Sequence, residues 1–184
     1  VMFIAKNYNS AKLLTSLFRL RKIHKTYLAI CHGIFKNKKG EIRGNLVRYD
    51  REKKITELAI TNYNVISSNN LFSFVELKPI TGRKHQLRKQ LSFMGNPIVG
   101  DTKYNVTKKN KNKNEKKLML HAYKIKFKIN NKKFNFKAEL PDYFNNYLNK
   151  SFLGDSGAYS ISSVIGYIAI DFFRTNENFS VLFI

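Results

Sequence analysis

Five stretches of the chain are rich in β-branched and aromatic residues and are separated by polar connections. Such side chains fit a pleated, half-buried surface, so the pattern predicts strands. The predicted strands are residues 25–35, 54–66, 71–80, 120–129 and 133–140. The second and third are joined through Ser-Ser-Asn-Asn and the last two meet at Asn130-Asn131, which predicts two hairpins. A polar, glycine-containing stretch follows the first strand, and no strand is predicted in it.

Apolar residues recur at helical spacing elsewhere. In residues 10–23 they share one face, and Ser10 is placed to cap the first turn. A second helix is predicted to begin with Thr81 as its cap and to run to about Gly95. Pro141 predicts the start of a third, short helix. Together these elements predict an α+β fold, with a mixed, mainly antiparallel sheet flanked by helices.

Composition narrows the class of protein. The chain has 184 residues, 43% of them apolar and 14% aromatic, which supports one buried core and excludes an intrinsically disordered chain. No run approaches the roughly 20 apolar residues of a membrane-spanning helix, so no membrane partner is predicted. The single cysteine, Cys31, excludes a disulfide framework and indicates a reducing compartment. We therefore expect a cytoplasmic protein.

Basic residues are in large excess, with 34 Lys and Arg against 12 Asp and Glu. Residues 1–150 hold 33 of the basic and 9 of the acidic residues, whereas residues 151–184 hold one basic and three acidic residues. This break predicts a domain over 1–150 and an atypical tail over 151–184. A cation excess favours nucleic acid as the partner, although 26 Lys and 21 Asn against 8 Arg also indicate a codon bias. The Lys/Asn tract at 107–117 is predicted to be a solvated loop.

Three segments carry long motifs. They are KTYLAICHG (25–33), ELKPITGRKHQLRKQLSFMGNPIVGDTKY (76–104) and LMLHA (118–122). In this order they resemble the catalytic domain of the RluA-type pseudouridine synthases, which isomerise uridines in structured RNA, chiefly large-subunit ribosomal RNA. The TGR-x-HQLR block followed by PIVGD makes the resemblance far more specific than a short motif. It implies an RNA-modifying, RNA-binding isomerase with no cofactor, and we expect a monomer.

The same resemblance implies that part of the enzyme lies outside these 184 residues. The opening VMFIAK fits the stretch that follows the family's HRLD-x-x-TSG motif, whose aspartate is the nucleophile, and no HRLD occurs in the chain. We therefore expect a fragment truncated before that aspartate. It would lack early strands and have marginal stability, because an unpaired sheet edge is exposed. An inactive remnant that still binds RNA and a non-enzymatic RNA-binding module stay open as alternatives.

Two residues would carry the chemistry by this resemblance. Tyr27 matches the tyrosine of the K-x-Y-L-A strand, which stacks against the flipped base and assists removal of the C5 proton. Arg83 matches the arginine of TGR, whose guanidinium pairs with the nucleophilic aspartate and keeps it ionised. Outside such motifs, a strand tyrosine would be interpreted as a core residue and an arginine as a surface residue.

Further motif positions are predicted to contact substrate or RNA, or to support residues that do. They are Lys25, Thr81, Gly82, His85, Gln86, Arg88, Ile98 and Val99. Of these, Ile98 and Val99 would shape the floor of the base pocket, and the nearby Asp101 is expected to brace a turn. His121 is predicted to be structural and Cys31 a packing residue. No histidine has a companion at ligand spacing, so no metal site is predicted.

Overall fold

A computed structural model describes residues 1, 3–51, 53–105 and 117–152. Within these ranges it holds three helices and six strands. In chain order they are α1 (Tyr8–Arg19), β1 (His24–His32), β2 (Lys39–Asp50), β3 (Lys53–Ser68), β4 (Phe72–Pro79), α2 (Gln86–Phe93), β5 (Leu120–Ile129), β6 (Lys132–Lys137) and α3 (Asp142–Phe152). No helix in this part of the chain is long and apolar enough to cross a membrane.

The six described strands form one antiparallel sheet in the order β2-β3-β4-β1-β5-β6. Strand β1 lies inside it, between β4 and β5. Its residues 28–31 are all buried, which explains their continuous apolar run in the sequence. The predicted α+β class with a mainly antiparallel sheet is confirmed.

All five predicted strands exist, each within three residues of its expected bounds. The β5–β6 hairpin turns at Asn130 and Asn131, whose φ angles of 46° and 63° are left-handed. A two-residue turn of this kind requires positive φ at both positions, and asparagine tolerates it better than most residues. The turn expected from the Asn-Asn pair is therefore confirmed.

One strand was not predicted, because most of the polar stretch after β1 forms β2. This strand pairs with β3 over its whole length. Its buried apolar residues, Ile42 and Leu46, are four positions apart, so the alternation that identifies a strand is missing. Gly40 is needed there, since a Cβ atom would come within 2.8 Å of the Tyr63 ring.

Strand β3 is twice as long as β4, so the two cannot pair throughout. The ladder with β4 begins at Thr61, and the earlier residues of β3 pair with β2 alone. We call residues 45–50 and 53–58 the outer hairpin. It extends beyond the end of β4 and carries the side chains of Arg48 and Glu57, which are hydrogen-bonded to each other.

Helix α1 begins at Tyr8, two residues before the predicted start. Its cap is Asn7, whose side-chain oxygen accepts a hydrogen bond from the Ser10 backbone N–H at 2.8 Å. The prediction of Ser10 as cap is therefore wrong, although both residue types are good caps. Leu17 packs in a buried cluster with Ile125 and others, which attaches α1 to β5.

The prediction of Thr81 as the cap of α2 is also wrong. The helix begins at Gln86 after His85, whose φ of 54° is left-handed. The Thr81 hydroxyl instead accepts a hydrogen bond from the Ile60 backbone N–H at 2.8 Å. The predicted end is confirmed, because α2 stops at Phe93 and Gly95 has a φ of +83°, as glycines after helices often do.

The chain divides into two compact units, one from Val1 to Glu139 and one from Leu140 onward. In the second unit Pro141 precedes α3, as predicted, and its carbonyl accepts the Phe144 N–H at 2.8 Å. The boundary expected at 150/151 stays a prediction. Almost all of the tail 151–184, and all of the Lys/Asn tract except Lys117, lie outside the described residues.

Candidate active site

A cavity of about 350 Å³ lies beside β1 and β5, within the size range of small-ligand sites. Its walls are formed by Val1, Phe3, Phe18, Lys25, Thr26, Tyr27, Ala122, Lys124 and Ile125. The pairing of β1 with β5 shifts between Thr26 and Tyr27, and such a bulge changes the direction of side chains. Two predicted site residues, Lys25 and Tyr27, therefore share one cavity wall.

Lys25 and Tyr27 are partly buried, and neither side chain has a hydrogen-bond partner among the described residues. Burial raises the pKa of the Tyr27 phenol and lowers the pKa of the Lys25 ammonium, because each charged form loses water. The Lys25 Nζ lies 5.8 Å from the Phe18 ring centroid, within cation–π range. Both polar groups are thus available to a ligand in the cavity.

The TGR segment adjoins this cavity wall at Gly82. A Cβ atom added there would lie 3.3 Å from Lys25 Nζ, which is a tight contact. A residue without a side chain at this position lets the backbone approach the lysine closely. The fold therefore brings Lys25 and Gly82 together, although 56 positions separate them in the sequence.

A buried hydrogen-bond network supports the TGR segment. The Gln86 side-chain oxygen lies 2.7 Å from the Thr81 hydroxyl and accepts the Arg83 backbone N–H at 3.0 Å. The Gln86 amide donates to the Thr61 hydroxyl at 2.9 Å, and Thr61 donates to Gln90 at 2.7 Å. Thr81 and Gln86 are 3% and 4% exposed, so both support the segment from beneath and present no side chain at the surface.

Arg83 is held against the outer hairpin, and it is not part of the cavity wall. One terminal nitrogen donates to the Glu57 carboxylate at 2.7 Å, and Nε donates to the Leu58 carbonyl at 3.2 Å. Glu57 also accepts from Arg48 Nε at 3.2 Å. An arginine has five N–H donors, so three on Arg83 have no partner among the described residues.

Glu57 is the residue that the sequence patterns did not indicate. Its partner Arg83 is 26 positions away, and the two meet only because β3 passes the loop before α2. The one available signal was its charge. Acidic residues are few in a chain with 34 basic residues, so an acidic residue on a strand suggests a basic partner.

His85 and Arg88 lie against Tyr104. The His85 Nδ1 is 2.8 Å from the Tyr104 hydroxyl, and the Arg88 guanidinium carbon is 5.1 Å from the ring centroid. Arg88 also donates two hydrogen bonds to Asp101, at 2.8 and 2.7 Å. Asp101 accepts the backbone N–H groups of Lys103 and Tyr104, both at 3.0 Å, which confirms that it braces a turn.

Ile98 and Val99 are fully buried and attach to β1. The Val99 N–H donates to the Ile30 carbonyl at 2.9 Å, and Ile98 forms a bridge with Cys31. Neither residue lines the cavity described above. Their role at the floor of a base pocket stays a prediction.

Two residues predicted to be structural have structural surroundings. Cys31 is fully buried, and burial raises the pKa of its thiol, as expected of a packing residue. His121 is the second residue of β5, and its Nε2 lies 3.4 Å from the Ala138 carbonyl. Within the described ranges, no three His, Cys, Asp or Glu side chains are grouped so that they could hold a metal ion.

Comparison with protein families gives a match to the family described as RNA pseudouridylate synthase, over residues 1–93. The ribosomal large subunit pseudouridine synthase C of Rickettsia bellii is 40% identical over 157 residues, or 79% of this chain and 51% of that protein. An uncharacterized RNA pseudouridine synthase of Haemophilus influenzae is 33% identical, over 90% of this chain and 68% of that protein. The chain spans about half the length of the first curated relatives that it matches.

Solved structures show the same similarity. Human RNA pseudouridylate synthase domain containing 4 superposes with a TM-score of 0.68 and 28% identity, covering 78% of this chain and 68% of that one.

A further curated relative, the ribosomal large subunit pseudouridine synthase D of Borreliella burgdorferi, is 30% identical over 84% of this chain and 49% of that protein. The matched family segment includes Lys25, Tyr27 and Arg83.

Proposed function

Since the chain belongs to the RNA pseudouridylate synthase family, we propose that it is part of an enzyme that isomerises uridine to pseudouridine in large-subunit ribosomal RNA. The names of the Rickettsia and Borreliella relatives give that RNA as their substrate. A net charge of +22 supports RNA as the partner, because phosphate neutralisation dominates such binding. The cytoplasmic location and the monomeric state stay predictions.

The observation that carries this proposal is the position of Tyr27 and Lys25 on one cavity beside the TGR segment, where neither side chain has a hydrogen-bond partner among the described residues. The reaction breaks the bond from ribose C1′ to N1 of the base, forms the bond from C1′ to C5, removes the C5 proton and protonates N1. The base must first leave its stack, at a cost of a few kcal/mol. The cavity offers it an aromatic face and two hydrogen-bond donors.

Tyr27 is proposed to stack on the base and to relay the proton. Because burial raises the pKa of its phenol, the hydroxyl is protonated at neutral pH. It therefore acts as a hydrogen-bond donor and relay and not as a free phenolate. The Lys25 ammonium, on the same wall, is placed to donate to a carbonyl oxygen of the base.

The proposed nucleophile is the aspartate of an HRLD segment, which the 184 residues do not contain. Val1, which the family resemblance places directly after HRLD-x-x-TSG, lies on the cavity wall. A segment joined at Val1 would therefore start at the same cavity. Arg83 has three N–H donors left, enough for a bidentate pair that keeps the aspartate ionised.

Glu57 is proposed to be a positioning residue for Arg83. Its carboxylate holds one terminal nitrogen of Arg83, the Leu58 carbonyl holds Nε, and three N–H donors have no partner among the described residues. It is a poor candidate for the nucleophile itself, because it does not line the cavity.

A catalytically inactive remnant that retains RNA binding is the second candidate. It is favoured by Glu57, the described carboxylate that pairs with Arg83. In that case the basic surface would still bind RNA, and no variant would affect any chemistry.

The test is pseudouridine formation on large-subunit ribosomal RNA that lacks modifications. The 184-residue chain is compared with a protein extended upstream by the HRLD segment, both first shown to be folded. Activity of the extended protein alone supports the proposal. Activity of the short chain would show that the nucleophile lies within the 184 residues, and inactivity of both would favour the remnant.

In the active form, Tyr27→Phe should keep substrate binding and lower kcat by roughly 10²-fold or more, since it removes the hydroxyl and keeps the ring. Arg83→Lys should cost about 10²–10³-fold in kcat, because lysine cannot form the bidentate pair. Tyr63→Phe, which removes a hydroxyl on β3 distant in sequence from both motifs, is the control and should be near wild type. Equal kcat values for Tyr27→Phe and Tyr63→Phe would contradict the role of Tyr27.

A further inference from the structure

Cations converge on Tyr104 at the surface formed by α2 and the following turn. The Arg88 guanidinium carbon, Lys103 Nζ and Lys89 Nζ lie 5.1, 5.7 and 6.0 Å from its ring centroid. The His85 ring contacts its hydroxyl at 2.8 Å. We define the Tyr104 patch as Lys84, His85, Arg88, Lys89, Lys103 and Tyr104.

The positive charge of this patch is not balanced. The nearby carboxylate, Asp101, has a side chain 1% exposed and already bonded to Arg88 and to two backbone N–H groups. In the part of the chain that the structure describes, Lys84, Lys89 and Lys103 form no ion pair with a carboxylate. The Lys89 Nζ donates a hydrogen bond to the uncharged Val47 carbonyl at 3.1 Å.

The crowding of cations also affects His85. Its pKa is lowered by burial and by the positive charges of Arg88, Lys103, Lys84 and Lys89. Among the described residues, no carboxylate has an opposing effect on the pKa of this ring. Like charges held this close raise the free energy of the unliganded protein, so an anion bound among them would be stabilising.

We propose that the Tyr104 patch binds the phosphate backbone of the RNA substrate, as a contact surface separate from the catalytic cavity. The identity of the polyanion as RNA rests on the proposed function. Lys84 and Lys103 are exposed and no buried donor encloses a small anion, which favours an extended chain of phosphates. The Tyr104 ring is already covered by cations, so the patch would contact phosphate and not stack on a base.

The test compares two double variants of the full-length protein that remove the same charge. Lys84→Gln/Lys103→Gln changes the patch, and Lys132→Gln/Lys133→Gln changes two exposed lysines of β6. RNA affinity is measured against salt concentration with an unmodified ribosomal RNA fragment. The patch variant should lose affinity roughly five-fold, on the scale of two exposed ion pairs, and reduce the salt slope by about 1 to 2 units, one per lost phosphate contact. The β6 variant should stay within two-fold.

The activity assay separates this proposal from the proposed function. In an active enzyme, the patch variant should raise KM and leave kcat unchanged, because its residues do not touch the reacting base. Equal affinity losses in both double variants would overturn the patch as a site. Loss of RNA binding at the patch without any pseudouridine formation in the wild type would overturn the proposed function alone.

A second measurement uses inorganic phosphate as a competitor and follows the His85 ring resonances. RNA should shift the His85 resonances at micromolar concentration, and inorganic phosphate should shift them only at millimolar concentration. A shift by phosphate but not by RNA would overturn the proposal in favour of a small-anion site. Unchanged resonances with either ligand would overturn it as well.

Discussion

Two groups of polar side chains flank the TGR segment, and they differ in whether they have partners. On one side Thr61, Thr81 and Gln86 are buried and joined to one another by hydrogen bonds. On the other side Lys25 and Tyr27 are partly buried, and neither has a hydrogen-bond partner among the described residues. Burial costs free energy for every polar group, and hydrogen bonds offset that cost only in the first group.

This difference distinguishes residues that hold the site in its geometry from residues that contact the substrate. A polar group with a full set of partners adds rigidity and has little left to offer a ligand. A group that is desolvated without a partner lowers stability, and a protein retains it where a ligand supplies the missing contact. Changes in the first group should therefore cost stability, and changes in the cavity should cost activity.

The largest expected effect on stability belongs to Gln86→Met. The volume is kept, but Thr81, Thr61 and the Arg83 N–H lose their shared partner in a buried setting. We expect a loss of about 2–4 kcal/mol in the free energy of unfolding, measured by urea titration. Asn135→Met on the exposed surface of β6 is the control and should change stability by less than about 0.5 kcal/mol. A loss below about 1 kcal/mol for Gln86→Met would show that water replaces the network.

A smaller effect is expected for Asp101→Asn, and it should depend on pH. Burial alone would raise the pKa of Asp101, but hydrogen bonds from Arg88 and from two backbone N–H groups outweigh it and lower the pKa. The ionised carboxylate therefore stabilises the fold above its unfolded pKa of about 3.9, and this contribution is lost as pH falls through the folded pKa.

Asp101→Asn should accordingly cost about 2 kcal/mol at pH 7, with a difference from wild type that shrinks below about pH 4. Urea unfolding at several pH values between 7 and 2 measures this. Glu139→Gln, at an exposed carboxylate for which no ion pair is seen among the described residues, is the control. A difference that is independent of pH would mean that the Arg88–Asp101 ion pair contributes nothing through charge.

The smallest effect, and one of opposite sign, is expected for Lys25→Met. Burial lowers the pKa of Lys25, so the protonated form is disfavoured in the folded protein. Replacement by an apolar side chain should raise stability by about 0.5–1 kcal/mol at pH 7, while activity of the HRLD-containing protein falls. As pH rises from the folded pKa of Lys25 towards its unfolded value of about 10.4, the free energy of unfolding of the wild type should increase relative to that of the variant. Lys22→Met, at an exposed lysine, should show neither change, and a destabilised Lys25→Met would contradict the comparison.

Local sequence patterns predicted most of the strands because their side chains meet neighbours close in sequence. The Asn130-Asn131 turn and the continuous apolar run of β1 are examples. Strand β2 was missed because burial of only Ile42 and Leu46 hides its periodicity. The cap of α1 was misplaced because Asn7 and Ser10 have similar capping ability. The start of α2 was misplaced because the helix begins after His85, whose side chain forms no capping hydrogen bond and gives no capping signal in the sequence.

The candidate site was predictable as a set of residues but not as a geometry. The motifs indicated Lys25, Tyr27 and Arg83, and the fold places two of them on the cavity and the third against Glu57. Glu57, Lys103 and Tyr104 acquire their significance from contacts between segments far apart in sequence. No local periodicity encodes such contacts, so they became visible only in three dimensions.

The outer hairpin has a consequence for how firmly Arg83 is held. Its residues pair only with each other, so it should open without breaking the β3–β4 ladder, and its amide protons should exchange earlier than those of β1. Glu57 and Leu58, which hold the Arg83 side chain, both belong to this hairpin. The guanidinium is thus attached to the outer hairpin and not to the central strands, so any loosening of this hairpin, which also carries the buried Leu46, would free Arg83 to turn towards another carboxylate.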